Sequence, residues 1–257
     1  MSSTLQWVFK TFGWLWVFIF VMIGILGAGV HILDHYYLVA DRPAVANVLQ
    51  NDIYGKEFFI HWLSFRGHPE SRLTHMFLGI AFVVIAPWQF VSRIRRHHVK
   101  LHRAIGITSV ILSFILIYTG LIFTFKYTYT GFVEQAPTVT YSLIFTWIVL
   151  MGWKSIKERN FAKHREWAIR GFSMMMGISA TRVWFYLFLK LSGLPSNQFF
   201  STIFWLGLGV NLLIGEIWIN LTRPRDRKEV VLRDHATAAR DFQISGRPGQ
   251  EQPAGAG

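Results

Sequence analysis

The chain has 257 residues, 52% hydrophobic and 16% aromatic, and only 16% charged, against about 25% in soluble domains. Its formal net charge is nonetheless +12, which points away from a soluble basic protein and toward a membrane protein with its cations segregated into loops. With no cysteine, disulfides, thiolate metal sites, covalent c-type haem and cysteine nucleophiles are excluded.

A hydrocarbon core about 30 Å thick needs roughly 20 mostly apolar residues per spanning helix. Six stretches qualify, at about 12–33, 73–91, 104–125, 138–153, 167–191 and 199–221. None alternates with period two, so the expected fold class is all-α, a six-helix transmembrane bundle. Pro87 is expected to kink or end the second span. The first span has Lys10 before it and Gly27-Ala28-Gly29 near its end, as a signal peptide would. Its apolar run is long for a signal sequence, and an uncleaved anchor is the better reading. Between the first two spans lies a long loop, 34–72, whose Phe58, Phe59, Trp62 and Phe65 suggest a helix lying on the membrane surface. Residues 1–221 form the membrane domain, and 222–257 a charged tail of disordered composition.

Charge gives an orientation. With the N-terminus inside, 19 of the 26 cations fall on the inner side and six on the outer, with Arg182 inside a span. Cytoplasmic loops collect Lys and Arg, so both termini are expected in the cytoplasm and the bilayer in a bacterial inner membrane. Anionic lipid at the cytoplasmic face is the partner that this collar of cations implies. Nucleic acid is not needed to explain the basicity, and an oligomer stays open.

The ten histidines divide by side. His31 and His35, spaced i, i+4, share a face at the outer end of span one, and His75 lies about one turn into span two. Two helices presenting imidazoles at one depth suit a bis-histidine haem. The same three histidines, with Asp34 beside them, could hold a divalent metal. The bland alternative is interfacial histidines satisfied by headgroups and water. At the inner boundary, His102 and His164 stand beside arginines at the starts of spans three and five. They read either as part of the polybasic collar or as a pair converging on an inner cofactor whose acidic groups the arginines neutralise.

Two ionisable residues lie inside spans. Arg182 is deep in span five, while Glu216 is about 7–8 Å from the inner end of span six at 1.5 Å per residue. The depth difference speaks against their pairing. Glu216 matches Arg170, and Arg182 is nearer in depth to Asn211. Intramembrane charges are costly and usually face a bundle interior, so all four residues are candidates for a polar site or a structural clamp. Met174-Met175-Met176, Ser173, Gly177 and Ala180, with Gly207, Gly209 and Gly215, read as close helix packing.

Leu73-Thr-His75-Met-Phe-Leu-Gly79, Leu101-His-Arg-Ala-Ile-Gly106 and His164-Arg-Glu-Trp-Ala-Ile-Arg170, with Arg182 downstream, carry a resemblance. Over roughly residues 70–190 the chain resembles a family of predicted bacterial membrane proteins defined only as a domain of unknown function. More remotely it resembles b-type cytochromes of the cytochrome b561 and ferric reductase kind. That second resemblance implies haem b held by His31 or His35 with His75, and by His102 with His164. Three functions stay open: a membrane oxidoreductase component passing electrons through haem, a transporter of small molecules or lipids using Arg182 and Glu216, and a non-catalytic scaffold subunit.

Overall fold

The computed structural model describes residues 3–37, 41–64 and 69–223, with side chains from residue 11 onward apart from 64 and 69. Nearly all of the described chain is helical. Helix α1 spans Ser3–Tyr37, α2 Pro43–Val48, α3 Lys56–Ser64, α4 Pro69–Ile85 and α5 Ser92–His97. The remaining helices are α6 Val99–Lys126, α7 Phe132–Lys157, α8 Phe161–Leu191 and α9 Ser196–Thr222. Six of these (α1, α4 with the turn after it, α6, α7, α8 and α9) are long and apolar enough to cross a membrane. Each covers one of the six expected stretches to within one residue. Their outward faces keep large apolar groups exposed, Phe18 at 60% and Leu143 at 67% among them, as a surface solvated by lipid does.

Contacts divide the chain into Met1–Ile217 and a short second unit from Trp218 onward. Of the second unit only the final residues of α9 and Arg223 are described. Most of the tail expected at 222–257, with His235, and the loop residues Phe65, Arg66 and His68 lie outside the described residues.

Within the first unit, α1 packs on α4, α4 on α6, α6 on α7, α7 on α8, and α8 returns to α1. Five helices thus close a ring. Helix α9 packs against α7 and α8 where small residues admit it. A Cβ at Gly177 would come within 2.7 Å of the Gly207 carbonyl, and one at Gly215 within 2.8 Å of Ser173 Oγ. Without a hydrophobic drive between helices in lipid, such small-residue seams let backbones approach.

Two prolines act as their chemistry requires. Helix α4 stops at Ile85, and Pro87 sits in a 3-10 turn, Ala86–Phe90, because its ring cannot continue the α-ladder. Pro137 lies inside α7 and leaves the carbonyl four residues earlier without its usual donor. That carbonyl, of Val133, accepts instead from Ser201 Oγ of α9 at 2.5 Å, as backbone in a bilayer must be satisfied internally.

The long loop departs from the expectation of a helix on the membrane surface. Its helix α3 exists, but Phe59 and Trp62 are buried with Leu49 in a core of their own. Phe58 stacks on Phe185 and Phe200 at 5.0 and 5.2 Å between ring centroids. The aromatic face therefore closes one end of the helical ring. It is a lid on the protein.

Candidate functional site

Beneath this lid lies a cavity of about 630 Å³ with mostly apolar walls. All six long helices and the lid contribute to it, with Gly27 and His31 from α1, His75 and Gly79 from α4, and Gly120 from α6. Thr138 of α7, Arg182 of α8, Phe200 of α9, and Tyr54, Phe58 and Trp62 of the lid complete the wall. Cavities of several hundred Å³ with few convergent polar groups are the usual form of a small-molecule site.

The two imidazoles are held in opposite tautomers. The Trp62 indole N–H, which can only donate, donates to His31 Nδ1. His31 Nδ1 is therefore the acceptor nitrogen, and the proton of the neutral ring sits on Nε2. His75 Nδ1 lies 2.7 Å from Thr119 Oγ1. That hydroxyl already donates to the Ile115 carbonyl at 2.9 Å, so it accepts from His75 Nδ1–H. His75 Nε2 keeps its lone pair. No hydrogen bond among the described residues engages Nε2 of either ring. One histidine offers a donor to the cavity and the other an acceptor.

The wall beside His75 is thin. A Cβ at Gly79, one turn along α4, would meet nothing nearer than Leu116 Cδ2 at 3.9 Å. At Gly120 the nearest atom would be His75 Cε1, also at 3.9 Å. Neither glycine is needed for contacts between protein helices, so both leave a slot along the imidazole. Phe123 meets the ring edge-to-face at 5.2 Å.

Arg182 supplies the charge. Its Nη1 donates to the Ile178 carbonyl of its own helix at 3.1 Å, and its side chain fills the space where a Cβ of Gly27 would sit. No acidic partner of Arg182 occurs among the described residues. The pairing with Asn211 suggested by depth is not made, for Asn211 Nδ2 donates to the Gly207 carbonyl at 2.7 Å. Arg72, by contrast, lies 3.9 Å from Asp34, both nearly fully buried. In the lid, burial pushes the Tyr54 phenol up and keeps it protonated. Burial also lowers His61 from its ordinary 6.5.

The other expected site residues go elsewhere. His35 does not line the cavity, and it stacks on Tyr36 at 5.0 Å. Among the described residues no three His, Asp or Glu side chains converge to hold a metal ion. Arg170 pairs with Glu216 as the depths suggested, through Nε on Oε1 and through Nη2 on Oε2 at 3.0 Å. Arg170 also stacks on Trp167 at 4.5 Å. That trio is a clamp at the far end of the bundle, away from the cavity. His102 and His164 come within electrostatic reach of each other there, and neither lines the cavity.

The model of one family, described as predicted membrane protein (DUF2306), matches residues 72–219. The chain belongs to that family. No curated protein and no solved structure matches the chain. The family region begins at Arg72 and includes His75, Thr119 and Arg182, while α1 and the lid lie before it. The family half of the site thus supplies the lone pair and the cation. His31, Tyr54 and Trp62 stand on the segment outside the match.

Sequence reasoning missed Thr119, Trp62 and the cavity glycines. A threonine in mid-span carries no pattern, and its role appears only when His75 is placed against it. Trp62 looked like a lipid anchor because its partner is 31 residues away.

Proposed function

We propose that this chain is a membrane protein that holds an amphipathic ligand with an acidic group in the lidded cavity, and that the ligand is haem b. The observation that carries this reading is His75. Its Nδ1–H is committed to Thr119 and its Nε2 lone pair is left toward a glycine-lined slot. A ligating histidine is usually oriented by a hydrogen bond from its second nitrogen in this way. Gly79 and Gly120 give a flat macrocycle room against the backbone. Arg182 stands where an acidic side group needs neutralising in an apolar wall. A bound haem supplies a one-electron iron couple, tuned by its axial ligand and by burial. The chain's own residues bind it, hold the His75 tautomer and keep water out through Phe58 and Trp62.

His75 would be the residue to hold the iron, since it alone of the two histidines keeps a lone pair for the cavity. His31 has given its only lone pair to Trp62 and presents N–H to the cavity, as a hydrogen-bond donor to whatever lies opposite His75. Electron passage across the membrane would require a second centre near His102 and His164. The cavity does not extend to them, so the reading here is a single-haem redox site. The charge of the cation-rich end, which carries most of the described arginines, supports a cytoplasmic location for that end.

The test is haem content. Protein purified in detergent from haem-replete cells is expected to yield close to one extractable haem per chain, and His75→Ala close to none. A folded, monodisperse, colourless wild type would overturn the haem assignment. The second reading, transport of an amphipathic acid, rests on the donor pair His31 Nε2–H and Arg182. It predicts saturable binding of a long-chain carboxylate to colourless protein, lost in Arg182→Gln.

A further inference from the structure

Among the described residues that line the lidded cavity, three are exposed: Leu26 of α1 at 69%, Tyr186 of α8 at 50% and Ile53 at 38%. Ile53 belongs to the helical turn Leu49–Tyr54 that leads into the lid helix α3. The other lining residues are buried or half-buried. Toward the lid the cavity is shut by Trp62, which is 2% exposed, and by Phe58 against Phe185 and Phe200.

The three exposed residues come from neighbouring elements. Helix α8 packs on α1 and on the Leu49–Tyr54 turn. Leu26 adjoins Gly27, whose Cβ would meet the Arg182 side chain. Tyr186 is four residues on from Arg182 and shares that face of α8. Tyr54 bridges the two helices, with its ring centroid 6.5 Å from that of His31 of α1 and 6.4 Å from that of Phe185 of α8. Lys190 of α8 holds the same turn through Asp52 at 3.7 Å. Leu26, Ile53 and Tyr186 therefore surround one seam between α1 and α8, bounded at the lid end by the turn. Arg182 stands just inside it.

We propose that this seam is a lateral entrance through which the cavity exchanges its ligand with the bilayer. Side chains exposed along a membrane-spanning helix meet acyl chains and not water, so what passes between them is dissolved in lipid. The ligand class is an apolar body with an acidic group, which travels past Leu26, Ile53 and Tyr186 and meets the Arg182 guanidinium within one turn. The three rim residues set the width of the passage. The inference rests on the reading of the cavity as a site for an amphipathic acid, and it adds the route by which that acid arrives.

The experiment uses the full chain in phosphatidylcholine vesicles. Because the chain has no cysteine, Gly79→Cys puts a single thiol on the cavity wall, where a Cβ meets nothing nearer than 3.9 Å. A His75→Ala background keeps haem out, so the labelling rate reports the route and not the occupant. The probes are N-ethylmaleimide, which partitions into lipid, and a sulfonated maleimide, which does not; each rate is divided by that reagent's rate with glutathione. N-ethylmaleimide is expected to label at least about tenfold faster than the sulfonated reagent. Leu26→Trp/Ile53→Trp narrows the rim and is expected to slow it about tenfold, while Leu143→Trp, on the lipid face of α7, changes it less than about twofold. Tyr186→Ala widens the rim and is expected to speed it at least about threefold, which keeps the test open if the narrowed variant does not fold. Equal rates for the two reagents, equal effects of the narrowed and control variants, no effect of Tyr186→Ala, or no labelling at all would overturn the proposal. A colourless wild type with the expected labelling pattern would overturn the haem assignment and leave the entrance standing.

Discussion

Trp62 donates its indole N–H to His31 Nδ1, and that bond decides which nitrogen of His31 the cavity meets. Trp62→Phe keeps the ring packing and removes the donor. His31 is then expected to lose its fixed tautomer, visible as a second set of 15N-histidine signals. The cost in stability is about 1–3 kcal/mol, that of leaving a buried acceptor unsatisfied. An unchanged His31 spectrum would show that the tautomer is set by something other than Trp62.

Asp34 and Arg72 are both buried and paired. Asp34→Ala removes the acid that lies 3.9 Å from the buried guanidinium and is expected to cost about 3–5 kcal/mol. Asp34→Leu/Arg72→Met removes both charges and is expected to recover most of that loss. Thermal melts of the single and double variants give the comparison. A double variant no better than the single one would mean that Arg72 is needed for more than this pair.

Gly27 faces the Arg182 side chain across α1 and α8. Gly27→Ala is expected to displace the guanidinium from the cavity wall and to weaken binding of an acidic ligand about tenfold. Because the clash is with a flexible side chain, the fold survives, at a cost of about 1–3 kcal/mol. Affinity and melting temperature measured on the same samples separate the two effects. Unchanged affinity would place the acidic group of the ligand away from Arg182.

His61 lies in the lid, half-buried and stacked on Tyr129 at 4.7 Å. Burial lowers its folded pKa below 6.5, so the open lid binds more protons than the closed one. Lid stability is therefore full above pH 6.5 and falls as the pH drops from 6.5 through the lowered value. Hydrogen exchange over residues 56–64 is expected to speed up between pH 7.5 and 5 beyond its intrinsic pH trend, and His61→Gln to flatten that excess. Identical curves for the two proteins would remove His61 as the cause.

The sequence was most informative where one physical rule dominates. Hydropathy placed all six spans because lipid tolerates no mixed face, and depth alone matched Arg170 to Glu216 because both stand near one end of neighbouring spans. The small-residue seam at Gly177 and Gly207 was legible for the same reason. His31 and His75 were singled out by their matching depth near the outer ends of two spans and Arg182 as a costly charge within a third, and all three line one cavity. Their chemistry was not legible. Whether a histidine offers a lone pair or a proton depends on Trp62 and Thr119, which come from other helices and obey no spacing rule. The lid was misread because an aromatic face looks the same whether it meets lipid or protein.

The most direct test of the account is the absorption spectrum of the solubilised protein before and after dithionite, for wild type, His75→Ala and His31→Ala. The account predicts a Soret band in wild type that shifts on reduction, disappears in His75→Ala, and persists with altered position in His31→Ala. A folded wild type without a Soret band, or a band that survives His75→Ala unchanged, would contradict it.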